Sequence, residues 1–136
     1  MTQYAIAYIA TAIVFLALDF VWLTRIARNF YFDRLGDLLL DQPRIGVAAA
    51  FYLVYVVGVV VFAVLPALKA ESLAHAVLLG ALFGLVAYAT YDITNFATLK
   101  NWPFSVVALD VAWGSFLTAI SACAGYAGVR MVVGNL

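Results

Sequence analysis

The chain has 136 residues, of which 68% are hydrophobic and only 10% charged, and its mean hydropathy is +1.09. Soluble domains are nearly half apolar and about a quarter charged, so this composition excludes an ordinary soluble globule. The formal net charge is zero and the sequence contains no basic run, which leaves no electrostatic footprint for binding nucleic acid.

Four apolar segments follow one another along the chain, and each is long enough to cross a bilayer as a helix. They run from Tyr4 to Thr24, Gly46 to Leu68, Leu73 to Leu99 and Pro103 to Arg130. The sequence therefore predicts an all-α polytopic membrane protein, a bundle of four transmembrane helices (about 4–24, 46–68, 73–99 and 103–130) that forms a single domain over residues 1–136. The first segment is interpreted as retained rather than cleaved, because no basic region precedes it.

The first connection mixes apolar residues with Arg25, Arg28, Arg34 and Arg44. This pattern predicts a short amphipathic helix on the membrane surface, and the alternative is an ordinary loop whose arginines bind headgroups. With Lys100, five of the seven basic residues lie in the first and third connections. The positive-inside rule then predicts these connections in the cytoplasm and both termini outside.

Three aspartates, Asp19, Asp92 and Asp110, lie inside the apolar segments, where a carboxylate is costly. Asp92 and Asp110 are each nine residues from Asn101, the centre of the third turn, and Asp19 precedes Arg25 by six residues. At helical rise these spacings give a similar depth, roughly 9 Å from the cytoplasmic end. We expect one cluster that serves as a candidate acid/base catalytic site. At least one carboxyl should hold a proton near neutral pH unless a cation or Arg25 compensates.

Polar and aromatic residues accompany these acids. The string A-L-D-x-x-W occurs in the first and fourth segments, and its Asp and Trp share a helix face. Each buried indole N–H is expected to bond a carboxylate on a neighbouring helix. The third helix adds a polar edge, and the predicted substrate-binding set is Trp22, Tyr88, Tyr91, Asn95, Thr98 and Trp113. The second helix has no charged group and is expected to provide packing and lipid contact.

Other features limit the choice of partners and cofactors. The sequence has no nucleotide, haem or flavin motif, so its cofactor stays open, and no metal site is predicted. The single cysteine, Cys123, excludes an intrachain disulfide. Membrane lipids are the expected partners. A homodimer is also expected, through small-residue helix faces that contain Gly80, Gly84, Ser121, Gly125 and Gly128.

The run Tyr91-Asp92-Ile93-Thr94-Asn95-Phe96-Ala97-Thr98-Leu99-Lys100-Asn101-Trp102-Pro103, with an A-L-D-x-x-W string on either side, resembles the signature of a small bacterial membrane-protein family. That family is described as a predicted membrane protein of unknown function, and the resemblance covers the whole chain. It implies a four-helix protein of the bacterial inner membrane and no established activity.

The favoured interpretation is a buried acidic and aromatic pocket near the cytoplasmic side that binds or processes a small amphiphile or lipid. One alternative is a proton-coupled small-molecule transporter, which would act as a dimer because four helices are few for alternating access. In a second, the acids are structural and hydrogen-bond across helices. A hard-cation site that uses Asn95 and Thr98 has the least weight. The sequence does not decide whether the protein is an enzyme.

Overall fold

Four long helices dominate the computed structural model, which describes residues 1–134. They span Thr2–Ile26, Ile45–Ala70, Leu73–Thr98 and Phe104–Val133, and each is long and apolar enough to cross a membrane. We call them the first to fourth spans. The prediction of an all-α four-helix membrane protein is confirmed. The predicted domain also includes residues 135 and 136, which lie outside the described residues.

Two of the spans contain a π-helical turn, which adds one residue to a helical turn and is frequent at functional sites. The first span ends in a π turn over Trp22–Ile26, and the second contains another over Val60–Val64. The π turn of the first span begins three residues after Asp19. It therefore lies where the predicted acidic cluster meets the first connection.

The bundle has two distinct ends. At one end the second and third spans are joined by a tight turn at Glu71, whose φ is 51°, and Arg130 of the fourth span pairs with Glu71 at 3.8 Å. We call this the Glu71 end. At the other end, the Trp102 end, the third and fourth spans are joined by a turn with Asn101 at φ 62°. Asparagine tolerates this left-handed conformation better than most residues.

The first connection is partly helical, so the ordinary-loop alternative is wrong for part of it. An α-helix covers Arg28–Leu35, here called the connecting helix, and a 3₁₀ turn covers Gly36–Leu38. The connecting helix packs against the start of the fourth span, where Arg34 Nε donates to Ser105 Oγ at 3.1 Å. Its Leu35 is buried in a small apolar cluster with Trp102, Val106 and Val107. The connecting helix therefore covers part of the Trp102 end.

Small residues bring the spans close together inside the protomer. Gly80 and Gly84 of the third span contact Ala119 and Gly114 of the fourth, with no room for an added Cβ. The other three predicted positions are also occupied: Ser121 is fully buried, Gly125 contacts Thr11, and Gly128 contacts Ala10. The homodimer stays a prediction, but these faces are already used within one chain, so a dimer interface would have to use other surfaces.

Candidate functional site

A cavity of about 830 Å³ lies at the Trp102 end and is lined by residues from all four spans and from the first connection. Asp19, Asp92 and Asp110 all line this cavity. The three acids, spaced far apart in the sequence, are therefore brought to one chamber. Its remaining wall is mostly aromatic and aliphatic, with Phe15, Phe32, Leu38, Leu39 and Phe51 among the lining residues.

Asp19 is held by the fourth span. Its exposed fraction is 4%, and its Oδ1 accepts a hydrogen bond of 3.2 Å from Trp113 Nε1. The hydroxyl of Tyr52 on the second span lies beside the same carboxylate. The second oxygen, Oδ2, is buried and has no well-aligned hydrogen-bond partner within residues 1–134. One oxygen of this carboxylate is thus held by Trp113, and the other can still accept a well-aligned hydrogen bond.

Asp110 is held by the connecting helix. The hydroxyl of Tyr31 donates to Asp110 Oδ1 at 2.7 Å and accepts from Trp22 Nε1 at 3.1 Å. Burial and the negative charge of Asp110 raise the pKa of Tyr31 well above its usual range, so the phenol stays a donor. The expected indole-to-carboxylate bond is direct for Trp113, whereas Trp22 reaches Asp110 only through Tyr31.

Asp92 has the fewest hydrogen-bond partners of the three acids. It has no exposed surface and lines the cavity. The side chains of Asp110 and Trp102 lie beside it, but neither carboxylate oxygen has a well-aligned partner among the described residues. Trp102 Nε1 is likewise buried without one. Asp92 and Trp102 are therefore neighbours at the cavity wall whose polar atoms make no well-aligned hydrogen bond.

The second span contributes to this site, contrary to the expectation that it only packs and contacts lipid. Tyr52 lies beside Asp19, and the Tyr55 hydroxyl is 2.8 Å from Thr118 Oγ1. Thr118 Oγ1 donates its own proton to the Gly114 carbonyl, so Tyr55 is the donor in that pair. The signal in the sequence was two tyrosines three residues apart in a segment that otherwise has almost no polar side chains.

The predicted substrate-binding residues are only partly in the cavity. Trp22, Tyr88 and Tyr91 line it, and Trp113 lies behind Asp19. Asn95 is half-buried beside Tyr91 but does not line the cavity. Thr98 is exposed, and its hydroxyl donates to the Thr94 carbonyl of its own helix at 2.8 Å. Its polar group is satisfied locally because threonine readily bonds the carbonyl one turn earlier.

The first connection supplies lining residues that the sequence analysis did not place in the site. Arg28, Tyr31 and Arg44 all line the cavity. Helical periodicity relates residues within one segment, whereas these three reach the cavity only because the connection folds back over the Trp102 end. As for metal ions, the described residues contain no group of three His, Cys, Asp or Glu side chains arranged to hold one.

A family model matches residues 4–127, a range that includes the three acids and the connecting helix. The chain belongs to the predicted membrane protein family DUF2177. Membership of a predicted membrane protein family of unknown function is thus confirmed, while the signature motif and bacterial origin stay predictions. Neither the curated proteins nor the solved structures give a match to this chain. The family description establishes a membrane protein and names no activity, so function has to be argued from the cavity.

Proposed function

We propose that this protein binds a single amphiphile or lipid in the cavity at the Trp102 end, with the polar head against the acids and the apolar chain towards the surrounding membrane. The observation that carries the proposal is the mixed lining: three carboxyl groups and several hydroxyls stand in one chamber with a mostly apolar wall. Ligand pockets of this kind combine an apolar lining with a few convergent polar groups.

The route of entry is argued from exposed apolar residues of the cavity wall. Phe51 of the second span is 60% exposed and Leu40 of the first connection is 52% exposed, and both line the cavity. Phe51 lies within a span and therefore faces lipid rather than water in a membrane. An acyl chain can thus leave the cavity beside Phe51, between the second span and the first connection. We propose that this opening faces the cytoplasmic leaflet, since the basic residues are concentrated at this end.

Acid and base chemistry on the bound molecule would extend this function. Asp92 and Asp110 lie side by side, and paired carboxyls in different surroundings suit general acid and base roles. The alternative function, transport of a small molecule across the membrane, has less support from the structure. Between the cavity and the Glu71 end the core contains fully buried apolar side chains, including those of Ala7, Val59 and Val64. A transporter would have to open this packed region.

A cavity-filling substitution tests the proposal. Ala87 of the third span lines the cavity, whereas Ala97 of the same span is exposed and does not. Ala87→Phe should lower the amount of lipid that remains bound to the purified protein about tenfold, while Ala97→Phe should leave it unchanged. Native mass spectrometry from mild detergent measures the bound lipid, and thermal unfolding checks that both variants fold. Wild-type protein that binds no amphiphile, or equal retention by both variants, would refute the proposed function.

A further inference from the structure

The most specific information about the ligand lies in the buried carboxylate oxygens that lack partners. Within the described part of the chain, Asp92 is fully buried and neither of its oxygens has a well-aligned hydrogen bond, although Trp102 and Asp110 lie beside it. Asp19 is 4% exposed, and its Oδ2 likewise lacks a well-aligned partner. Both side chains line the cavity. Buried polar atoms are nearly always hydrogen-bonded, so the occupant of this cavity should bring N–H or O–H donors.

The distribution of charge narrows the class of donor. The deep part of the cavity contains three carboxyl groups, and no lysine or histidine lines it. The two lining arginines, Arg28 and Arg44, belong to the first connection and are exposed, and the Arg28 guanidinium lies 5.3 Å from the centre of the Phe32 ring. The cavity is therefore acidic inside and basic at its rim. Apolar residues of the same connection, including Leu38 and Leu40, line the outer wall.

We propose that the occupant is an amphiphile with a protonated primary amine at the end of its head and an anionic phosphate between that amine and the apolar chain. This inference rests on the proposed function and names its ligand class. The ammonium lies among the three acids and donates to the neighbouring carboxyls of Asp92 and Asp110. The phosphate contacts Arg28 and Arg44, and the chain runs along the outer apolar wall. An aminophospholipid has its amine, phosphate and acyl chain in this order. The cavity has acids, arginines and apolar residues in the matching order from inside to outside.

A primary amine fits better than the two nearest alternatives. Its three N–H groups supply donors for the carboxyl oxygens, and its positive charge offsets negative charge among the acids. A quaternary ammonium has no N–H, although the tyrosines of the wall would attract it by cation–π contacts. A neutral hydroxyl head supplies donors but leaves the buried charges uncompensated.

All three tryptophans of the chain report on this site. Trp22 and Trp102 line the cavity, and Trp113 stacks on Trp22. Tryptophan fluorescence of the protein in maltoside micelles can therefore be titrated with lysophospholipids of one chain length that carry ethanolamine, choline or glycerol heads. The ethanolamine lipid should bind at least about tenfold more tightly than the other two, as expected for charge-assisted hydrogen bonds.

Choline or glycerol heads that bind as tightly would overturn the amine assignment and leave the proposal of an amphiphile pocket intact. Absence of binding by all three would overturn both proposals.

Substitutions test separately which residues bind the amine and which bind the phosphate. Asp92→Asn should weaken the ethanolamine lipid about tenfold and change the glycerol lipid much less, and Asp110→Asn is a second variant of the same kind. Arg44→Gln should weaken both phospholipids but not a simple alkylamine. Asp33→Asn and Arg25→Gln are matched controls, since both residues are exposed and neither lines the cavity. Equal losses in the controls, or an Asp92→Asn protein that retains the preference for ethanolamine, would contradict the proposed contacts.

Discussion

The indole rings of Trp22 and Trp113 stack with centroids 4.2 Å apart and planes 6° from parallel. The two residues occupy the same position of the A-L-D-x-x-W strings in the first and fourth spans. Each indole is connected to the acid of the other string. Trp113 donates directly to Asp19, whereas Trp22 donates to Tyr31, which in turn donates to Asp110. The stack therefore links two of the acids of the cavity through one continuous set of contacts.

This arrangement predicts that the Trp113 N–H contributes to stability. Trp113→Phe keeps an aromatic ring but leaves buried Asp19 without its indole donor, and should lower the free energy of unfolding by about 1 kcal/mol. Trp102→Phe is the control, because Trp102 Nε1 lies beside Asp92 but makes no well-aligned hydrogen bond among the described residues. Unfolding by titration with SDS measures both variants. The interpretation is wrong if the control loses as much stability as Trp113→Phe.

Tyr31 makes the free energy of unfolding vary with pH in the alkaline range. Burial and Asp110 raise its pKa in the folded protein, whereas an unfolded tyrosine loses its proton near pH 10. Above about pH 10 the unfolded chain therefore binds fewer protons than the folded protein, so stability falls as pH rises, and the contribution is complete below that pH. Tyr31→Phe should lose less stability than wild type between pH 10 and about 11. Tyr4→Phe, at the Glu71 end, is the control and should follow wild type; identical pH profiles for all three proteins would contradict the assignment.

The sequence predicted the spans well because a helix in lipid satisfies its own backbone, so length and apolar composition suffice. It also predicted that Asp92 and Asp110 lie side by side, since their equal distance from Asn101 follows from the turn. The sequence did not predict that Tyr31 and Arg44 line the cavity, because their positions depend on how the first connection folds back onto the bundle. Thr98 was assigned to the site from helical spacing alone, and its hydroxyl instead bonds its own helix.

The close approach of the third and fourth spans predicts a sensitive glycine. The ring of Tyr88 lies directly on Gly114, where a Cβ has no space, and Tyr88 also lines the cavity. Gly114→Ala should destabilise the protein by about 1–3 kcal/mol through overpacking and should also weaken lipid binding by moving Tyr88. Gly46→Ala is the matched control, since an added Cβ there meets nothing within 4 Å. SDS unfolding and lipid retention measure both effects, and a neutral Gly114→Ala would disprove the tight contact.

Topology remains a prediction from the basic residues. With five of seven in the first and third connections, both termini should lie outside the cytoplasm. A reporter that is active only in the cytoplasm should be inactive when fused to the C-terminus and active when inserted after Lys100. The reverse pattern would place the Trp102 end, and the opening of the cavity, on the other side of the membrane.

Asp92 separates a binding site from a structural contact. If its carboxylate held helices together, Asp92→Asn would lower stability by an amount near the ~0.6 kcal/mol typical of interhelical hydrogen bonds in membranes. Because neither oxygen has a well-aligned partner within residues 1–134, we expect no loss of stability from this substitution. Replacing a buried acid that has no well-aligned partner by a neutral amide should keep the lipid-free protein equally stable, or stabilise it by about 1 kcal/mol, while ligand binding is weakened. Asp110→Asn is the informative comparison, since Asp110 accepts the 2.7 Å hydrogen bond from Tyr31 and its substitution should weaken that contact and lower stability. SDS unfolding of the delipidated proteins measures both, and an Asp92→Asn variant that loses as much stability as Asp110→Asn would identify Asp92 as a structural residue.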